Sequence, residues 1–438
     1  MTDKEKKTLS TEPYKGVRDF YPEDMAVENY IFGVWRATCE SFGYQEYNAS
    51  ILEPSELYRG KTSEEIVNAQ TYSFTDRGGR EVTLRPEMTP TVARMIAAKR
   101  KTLSFPVRWY SIPNAFRYER PQKGRLREHF QLNPDIFGVA GIEAEVEIIS
   151  LGVEILRAFG MKDSDFEIRV NCRKVMNYII LHLLGLSGEK ARDVSQLIDR
   201  QAKMEKKAFE DAVSELLQEK DRLLLTLLYS QNFEEFVSHL PEDAELEKNL
   251  ANIRELIASL EKLGIANVVF SQTLMRGFDY YTGIVFEAFD KNPENLRSLF
   301  GGGRYDNLLN IFGVQPIPTV GFGMGDVTMR DVLETYKLLP AVTSKTELYL
   351  CVADSSSRGF ANDLAQKLRA RHVAVALDLT DRKIGDQIKY ADKNRIPYIA
   401  VIGDAERSGG TIKIKELATG KETALTEEEV ATWMKSTK

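Results

Sequence analysis

The run from Arg117 to Arg127 is the first part of the chain whose residue types suggest chemistry. Five of its eleven residues are Lys or Arg, and Pro121 and Gly124 mark a turn among them. The planar guanidinium of Arg binds phosphate oxygens through two parallel hydrogen bonds. The run therefore predicts either a mobile hairpin that holds a polyphosphate and nucleic acid or an ordinary solvated basic hairpin. Taken alone, its composition favours the solvated hairpin.

The segment RGFDYY, from Arg276 to Tyr281, combines polar and aromatic residues in a predicted strand. Alternate residues of a strand face opposite sides, so Arg276, Phe278 and Tyr280 would share one face. Such a strand suits a pocket wall, where an Arg can hold a carboxylate or a phosphoryl oxygen in the transition state. A strand buried on one face with a salt-bridged Arg explains the same residues equally well.

Two glycine-rich segments follow, GGGRYD at 301–306 and GFGMGD at 321–326. On a strand, Gly321, Gly323 and Gly325 would face one side and leave a bare surface for a flat ligand or another backbone. Close packing of a helix explains that spacing as well. We predict that the triple glycine is a loop whose N–H groups can cradle an anion. It is not a P-loop, because the chain has no Gly-x4-Gly-Lys-Ser/Thr sequence.

The elements that would position these segments follow from hydrophobic periodicity and turn residues. We predict a helix over 24–43, a hairpin over 71–84 and a helix from Thr89 to about Lys101. Residues 172–264 are helical in pattern, whereas strand patterns lie before and after them. The predicted strands lie at both ends of 107–140 and at 166–171, 268–270, 277–290 and 319–324. This order indicates an α+β domain around an antiparallel sheet, interrupted by a helical insertion.

The pattern changes after a predicted linker at 340–344. Strand and helix patterns then alternate, with strands near 347–353, 373–379 and 398–403 and helices near 359–371 and 384–394. A hairpin and a last helix complete the chain. Alternating strands and helices indicate an α/β domain of roughly 95 residues with parallel strands.

The composition is that of a soluble protein with a core: 438 residues, 43% hydrophobic and 28% charged, with a formal net charge of −6. Residues 341–438 nevertheless hold 16 basic and 14 acidic residues, so an acidic chain can still carry a basic region. Three Cys and four His are widely scattered, which predicts no disulfide framework and no zinc site. With no secretory signal and no apolar run long enough to span a membrane, we predict a reducing compartment, the cytoplasm.

Together these segments resemble the histidyl-tRNA synthetase family, within the class II aminoacyl-tRNA synthetases, from Gly16 to the last domain. The matching segments are TLRPEMT at 83–89, FRYERPQKGR at 116–125, RGFDYY and GGGRYD. Their order is more specific than any one of them. The resemblance implies an antiparallel-sheet catalytic domain over 1–171 and 265–338, a helical insertion domain over 172–264 and an α/β anticodon-binding domain over 345–438.

The resemblance implies a histidine–tRNA ligase. Such an enzyme activates histidine with ATP to histidyl-adenylate and transfers the histidyl group to the 3′ end of tRNA(His). The implied cofactors are ATP and Mg²⁺, without a dedicated metal site in the protein. The implied partners are L-histidine, tRNA(His) and a second copy of the chain, paired through the region from Gly43 to Pro54.

The resemblance also implies roles for single residues. Arg117 matches the arginine that binds the α-phosphate of ATP. Arg276 matches the arginine that neutralises charge at the α-phosphoryl group and the histidine carboxylate, so these two are the implied catalytic residues. The implied ATP-binding residues are Arg117, Glu119, Arg125, His129, Phe130, Gly323 and Gly325. The tRNA acceptor end would meet Arg120 and Gln122.

A histidine pocket is implied as well, with the cationic amino group and both ring nitrogens each needing a partner. Asp135 matches the residue that accepts from one ring nitrogen, and Tyr281 would hydrogen-bond the other. Glu87, Thr89 and Gln131 suit the amino group. The full implied set is Glu87, Thr89, Gln131, Asp135, Arg276, Tyr280, Tyr281 and Tyr305.

Three positions depart from the family pattern. Thr328 stands where most class II synthetases have an arginine after the glycines of motif 3, and Arg330 follows two residues later. The adenine-stacking aromatic falls on His129, beside Phe130. Asp135 is shorter than the Glu found in some members.

Two other functions stay open at this point. One is a non-catalytic relative that regulates a transferase or senses tRNA, which the missing arginine at Thr328 favours and Arg117, Arg276 and the pocket residues oppose. The other is a sister synthetase for proline, threonine or glycine, which the RGFDYY segment disfavours.

Overall fold

The computed structural model describes residues 9–59, 70–122, 124–201, 204–275, 280–295 and 297–437. The chain forms two compact units, Met1–Pro340 and Ala341–Lys438, and their boundary falls in the predicted linker. The finer division into catalytic, insertion and anticodon-binding domains stays a prediction. No helix within the described ranges combines the length and apolar composition needed to cross a membrane.

The first unit contains twelve strands among its described residues. In chain order they are β1 Gln45–Glu46, β2 Leu52–Pro54, β3 Tyr72–Thr75, β4 Glu81–Leu84, β5 Val107–Ser111, β6 Asn114–Phe116, β7 Glu128–Phe137, β8 Phe166–Cys172, β9 Val268–Phe270, β10 Ile284–Asp290, β11 Ser298–Arg304 and β12 Thr319–Gly325.

Nine of these strands form the main sheet, in the order β1-β5-β7-β12-β11-β10-β8-β9, with β6 paired to β7. Every pair is antiparallel except β1 with β5 and β8 with β9. The predicted α+β class with an antiparallel sheet is confirmed. The long strand β7 lies between β5 and β12, so its side chains have neighbours on both sides.

The helices of the first unit lie on this sheet and within residues 172–264. They are α1 Pro22–Ser41, α2 Glu56–Arg59, α3 Thr89–Lys99, α4 Glu143–Ala158, α5 Arg173–Tyr178, α6 Gly188–Arg200, α7 Lys206–Leu217, α8 Asp221–Leu228, α9 Phe233–Ser238, α10 Ala244–Lys262 and α11 Asp326–Thr335. Helix α1 opens on a proline and two acidic residues, which suit the positive end of the helix dipole. Its Trp35 is fully buried and donates to the sulfur of Met324 in β12, which fixes α1 on the sheet.

Strands β2, β4 and β3 form a separate small sheet whose polarity is unusual. Glu53 and Thr83 are paired and almost completely buried, at 4% and 1% exposure. The opposite face of the sheet carries Leu52, Pro54, Phe74 and Val82. Leu52 is 43% exposed and Phe74 is 50% exposed. The small sheet thus buries the pair Glu53–Thr83 of its polar face and exposes Leu52, Pro54 and Phe74 of its apolar one.

The second unit is a five-stranded sheet in the order β14-β13-β15-β16-β17. Its strands are β13 Leu348–Val352, β14 Val375–Leu377, β15 Tyr398–Ile402, β16 Thr411–Glu416 and β17 Glu422–Thr426, and its helices are α12 Arg358–Ala370, α13 Ile384–Lys393, α14 Asp404–Gly409 and α15 Glu427–Ser436. Strand β13 is parallel to both neighbours, as the alternating pattern predicts, and β16 and β17 form the antiparallel hairpin.

Two predictions of local structure were wrong. Gly301, Gly302 and Gly303 are not a loop but the middle of β11, where an added Cβ on Gly302 would collide with the backbone of β12. The glycines thus permit close approach of two strands. Of the strand predicted over 277–290, the described part begins at Ile284, since 280–283 are not in a strand and 277–279 lie outside the described residues.

Candidate active site

Strands β7 and β12 form the floor of the candidate site. Glycines of β12 leave space there for side chains of β7. Asp135 pairs with Gly321, and an added Cβ on Gly321 would collide with the Asp135 carboxylate. An added Cβ on Gly323 would lie 2.6 Å from the amide nitrogen of Gln131. The side chains of Asp135 and Gln131 therefore lie across the bare strand, and a methyl group on either glycine would displace them. Gly325 faces open space at the start of α11.

Asp135 is buried and accepts a short hydrogen bond from the hydroxyl of Tyr305. Burial raises the pKa of Asp135 to about 7, against the lowering effect of the Tyr305 hydrogen bond. Tyr305, which the sequence placed only as a lining residue, therefore orients the carboxylate. The hydrogen bond occupies the Oδ1 atom of Asp135 in this buried environment.

A second buried carboxylate, that of Glu87, is linked to the Asp135–Tyr305 pair through Tyr280. Glu87 is buried and accepts from the hydroxyl of Tyr280 at 3.3 Å. The ring centroid of Tyr280 lies 4.9 Å from that of Tyr281 and 5.5 Å from that of Tyr305. Three tyrosines and two carboxylates thus form one buried cluster. Half-buried Thr89 begins α3 two residues after Glu87.

The basic run forms a hairpin on β6 and β7. The Arg117 amide donates to the Arg127 carbonyl at 2.9 Å, and its Nε donates to the Pro86 carbonyl at 2.9 Å. Near the tip, Gln122 and Arg125 exchange backbone hydrogen bonds of 3.1 and 2.9 Å, and Gly124 has a φ of +74°. This pattern closes a tight turn. The side chains of Arg120, Gln122 and Arg125 are exposed on this hairpin.

Arg125 and Glu119 face each other across the hairpin, with 3.1 Å between Arg125 Nη1 and Glu119 Oε2. Arg127 instead is buried, with its guanidinium 4.0 Å from the Tyr118 ring centroid and bonded to the Glu119 carbonyl and the Tyr14 hydroxyl. It anchors the hairpin to the N-terminal segment and is not available for a ligand. The composition of the run could not separate this structural arginine from the exposed ones.

His129 and Phe130 lie on opposite faces of β7, as neighbours in a strand must. The Phe130 ring packs 5.1 Å from Phe32 and 6.1 Å from Phe20, on the side of α1. Burial, together with the charges of Arg117, Arg18 and Arg125, lowers the pKa of His129 to about 3. His129 therefore presents a neutral imidazole beside the arginines of the hairpin, whereas Phe130 belongs to the packing beneath it.

Comparison with known proteins decides the family. The histidyl-tRNA synthetase family model matches residues 16–326, which is more than half of the chain. The chain belongs to the histidyl-tRNA synthetase family. A model of the anticodon-binding domain matches residues 343–437, nearly the whole second unit.

Individual relatives agree over nearly the full length. The chain is 41% identical over 412 residues to the histidine–tRNA ligase of Leptospira biflexa, covering 94% of each chain. It is 39% identical to that of Thermoplasma volcanium, covering 95% of this chain and 97% of that one. Among solved structures, a histidyl-tRNA synthetase from Nostoc has the same fold, with a TM-score of 0.81 at 21% identity over 98% of this chain and all of that one.

Arg330 is the arginine nearest in sequence to Thr328, the motif 3 position where most class II synthetases have an arginine. Arg330 of α11 is bound to Asp24 at 2.9 Å and to Glu334 at 3.0 Å, so two carboxylates already neutralise it. Arg18 pairs with Asp326 at the start of α11 and lies 3.6 Å from Glu28. Asp326 also accepts from the amide of Phe130 at 2.9 Å.

Arg276, the implied catalytic arginine, lies outside the described residues together with Gly277, Phe278 and Asp279. Its proposed role therefore rests on the motif. The contacts made by Tyr14, Arg18 and Tyr305 are ones that sequence reasoning missed. Tyr305 and Asp135 are 170 residues apart, and no local pattern links them.

Proposed function

We propose that the chain activates L-histidine with ATP and transfers the histidyl group to the 3′ end of tRNA(His). The histidine carboxylate attacks the α-phosphorus of ATP, and pyrophosphate leaves. A ribose hydroxyl of the tRNA then attacks the histidyl carbonyl, and AMP leaves. The observation that carries this proposal is the buried Asp135–Tyr305 pair beside Glu87 and Tyr280, in a family member matched over nearly its full length.

The two buried carboxylates suit the two ends of histidine. Asp135, oriented by Tyr305, accepts the N–H of one ring nitrogen, and Tyr281 hydrogen-bonds the other. Glu87, Thr89 and Gln131 accept from the α-ammonium group. A pocket that pairs each polar group of its ligand rejects analogues strongly, because an unmatched ligand leaves buried groups without partners.

The hairpin and β12 suit ATP. Arg117 binds the α-phosphate, Arg125 the outer phosphates, and Glu119 accepts from the adenine amino group. The neutral ring of His129 stacks on the base, and the open backbone at Gly325 lets the nucleotide approach closely. Gly323 contributes from beneath the side chain of Gln131, which lies over it. Phe130 supports His129 from beneath. The described residues contain no group of three or more His, Cys, Asp or Glu suited to hold a metal, so we assign Mg²⁺ to the phosphates of ATP.

Arg276 completes the catalytic set in this proposal. Its guanidinium neutralises the charge that develops at the α-phosphoryl group while it holds the histidine carboxylate. The exposed side chains of Arg120 and Gln122 meet the acceptor end of the tRNA, and the second unit binds the anticodon. Because Cys39, Cys172 and Cys351 are buried free thiols, we place the protein in a reducing compartment, the cytoplasm.

We also propose a homodimer formed through the small sheet. On its apolar face Leu52, Pro54 and Phe74 are exposed beside the half-buried Val82, while Glu53 and Thr83 of the polar face are buried. Strand β2 ends at Pro54, inside the region whose resemblance implies pairing with a second copy. Covering this face with the same face of a partner removes apolar surface from water.

Aminoacylation of a tRNA(His) transcript tests the whole reaction. We expect labelled histidine to be attached to the transcript in the presence of ATP, and a tRNA with another anticodon and acceptor end to be charged far less. Charging of tRNA with proline, threonine or glycine in place of histidine would contradict the assignment. Failure to charge any tRNA would favour the non-catalytic alternative, which gains no support from the matched relatives.

A further inference from the structure

Arg297, the residue before β11, lies directly on the tip of the basic hairpin. A Cβ on Gly124 would lie 3.0 Å from Cγ of Arg297 and 3.7 Å from its Nε. The aliphatic part of Arg297 therefore rests on the bare backbone of the turn. Arg297 comes from a part of the chain more than 170 residues from Gly124, so this contact joins the hairpin to the main sheet.

Arg297 also brings a second positive charge to Arg125. Burial lowers the pKa of Arg297 and the charge of Arg125 lowers it further, while Glu119 raises it, so all three groups lie within electrostatic reach. Arg125 already pairs with Glu119 at 3.1 Å. Within the described ranges Arg297 has no carboxylate at ion-pair distance, so the three groups carry an uncompensated positive charge.

Several other arginines around the site are neutralised or occupied. Arg18 pairs with Asp326, Arg330 with Asp24 and Glu334, and Arg304 with the buried Glu145. Arg127 is bonded to the Glu119 carbonyl and Tyr14. A half-buried arginine held beside a like charge without a counterion indicates that an anion binds there.

We propose that Arg297, which packs on the hairpin tip at Gly124, is a second binding residue beside Arg125 for the outer phosphates of ATP and for the departing pyrophosphate. This inference rests on the ATP site proposed above. A polyphosphate between the two arginines relieves their mutual repulsion. Arg297 thereby supplies a cation to a site whose motif 3 position is Thr328.

The decisive experiment compares ATP with AMP, because AMP lacks the outer phosphates. We would measure binding of both nucleotides to Arg297→Met, which keeps an apolar stem, and to Arg297→Lys, which keeps the charge. Lys291→Met is the matched control, since Lys291 is an exposed cation in the loop before β11. In parallel, the KM values for ATP, pyrophosphate and histidine are measured in ATP–pyrophosphate exchange.

For Arg297→Met we expect affinity for ATP to fall about tenfold or more, as for loss of a charge-assisted hydrogen bond, with AMP affinity unchanged. The KM for pyrophosphate rises in parallel and the KM for histidine does not. Arg297→Lys regains part of the loss, and Lys291→Met matches the wild type.

Equal weakening of ATP and AMP, or a parallel rise in the histidine KM, would overturn the inference in favour of a purely structural role. A change confined to tRNA charging would overturn it in favour of a contact with the tRNA backbone. If the wild-type protein shows no histidine-dependent exchange, the proposed function itself fails, and that result is distinct from an active enzyme indifferent to Arg297.

Discussion

Burial gives Asp135 an acid–base behaviour that an exposed aspartate does not have. The pocket raises the pKa of this carboxyl to about 7, well above the ordinary value of about 3.9. In the folded protein burial thus disfavours ionisation, so the side chain becomes a carboxylate only near and above neutral pH. The proposed role in histidine binding explains why such a residue is present, since functional sites commonly carry groups that cost stability.

Asp135→Asn should therefore stabilise the ligand-free protein in a pH-dependent way. Because the folded pKa is raised, the wild-type side chain favours the folded state below about pH 4 and loses that contribution as pH rises through about 7. Asn does not ionise and still accepts from Tyr305. We expect the Tm of Asp135→Asn to exceed that of the wild type most at pH 8 and to converge with it toward about pH 4.

Asp76→Asn is the control for this effect, because Asp76 is a turn carboxylate whose pKa is lowered by hydrogen bonds from Arg80 and Gly78. It should bring no gain in Tm at pH 8. Asp135→Asn should also raise the KM for histidine about tenfold or more, since an amide accepts less strongly than a carboxylate. A variant with unchanged histidine KM would remove Asp135 from the pocket.

At the scale of elements, the glycines of β12 let β7 present its side chains to the site. Gly321→Ala adds a methyl group where the Asp135 carboxylate lies, with the Pro134 carbonyl 2.8 Å away. Neither the Asp135 carboxylate nor the Pro134 carbonyl is the end of a long flexible side chain, so neither can move aside easily. We expect the KM for histidine to rise about tenfold or more, with the KM for ATP changed much less, in the exchange assay.

Gly33→Ala is the matched control, because an added Cβ on Gly33 of α1 meets no atom within 4 Å. It should leave both KM values unchanged and raise the Tm slightly, since Ala favours the helix. If Gly321→Ala behaves like Gly33→Ala, the glycines serve strand packing and not the pocket.

The sequence predicted helices and strands more accurately than it predicted contacts between residues that are distant in the chain. Alternation and turn residues are local, so the hairpin β3–β4, helix α1 and the alternating second unit follow from neighbouring residues. The triple glycine misled because Gly suits both a loop and a close strand pair, and only the strands on either side decide between them. The Tyr305–Asp135 bond and the Arg297–Gly124 contact depend on the assembled sheet.

The same limit applies to the candidate site. The family motifs predicted the residue types of the pocket, and the structure brings Glu87, Asp135, Tyr280 and Tyr305 together. The motifs could not predict that Phe130 faces α1 while His129 faces the site. That orientation depends on which face of β7 packs against α1.

At the scale of the whole molecule, the exposed apolar face of the small sheet predicts self-association. We expect the wild-type protein to sediment as a dimer at micromolar concentration. Phe74→Glu places a charge in the middle of that face and should give monomers, because burying an unpaired carboxylate is costly. Analytical ultracentrifugation measures both.

Val269→Glu is the control, since Val269 is an exposed apolar residue of β9, 41% accessible and outside the small sheet. It should remain a dimer. A monomeric wild type, or a Phe74→Glu variant that stays dimeric, would contradict the proposed interface.

The net charge differs in sign between the two units. The first 340 residues hold the negative excess, with the 117–127 hairpin as a basic exception, and the second unit carries a small positive excess. Local basic regions suffice for binding nucleic acid because phosphate contacts depend on nearby charges and not on the net charge of the protein. An acidic chain is therefore compatible with the proposed tRNA substrate.

ATP–pyrophosphate exchange run with each of the twenty amino acids shows whether the buried pocket selects histidine for reaction with ATP. We expect exchange that depends on histidine and falls by orders of magnitude in Arg276→Ala, while histidine binding largely survives. Exchange driven by another amino acid, or none at all with folded protein, would contradict it.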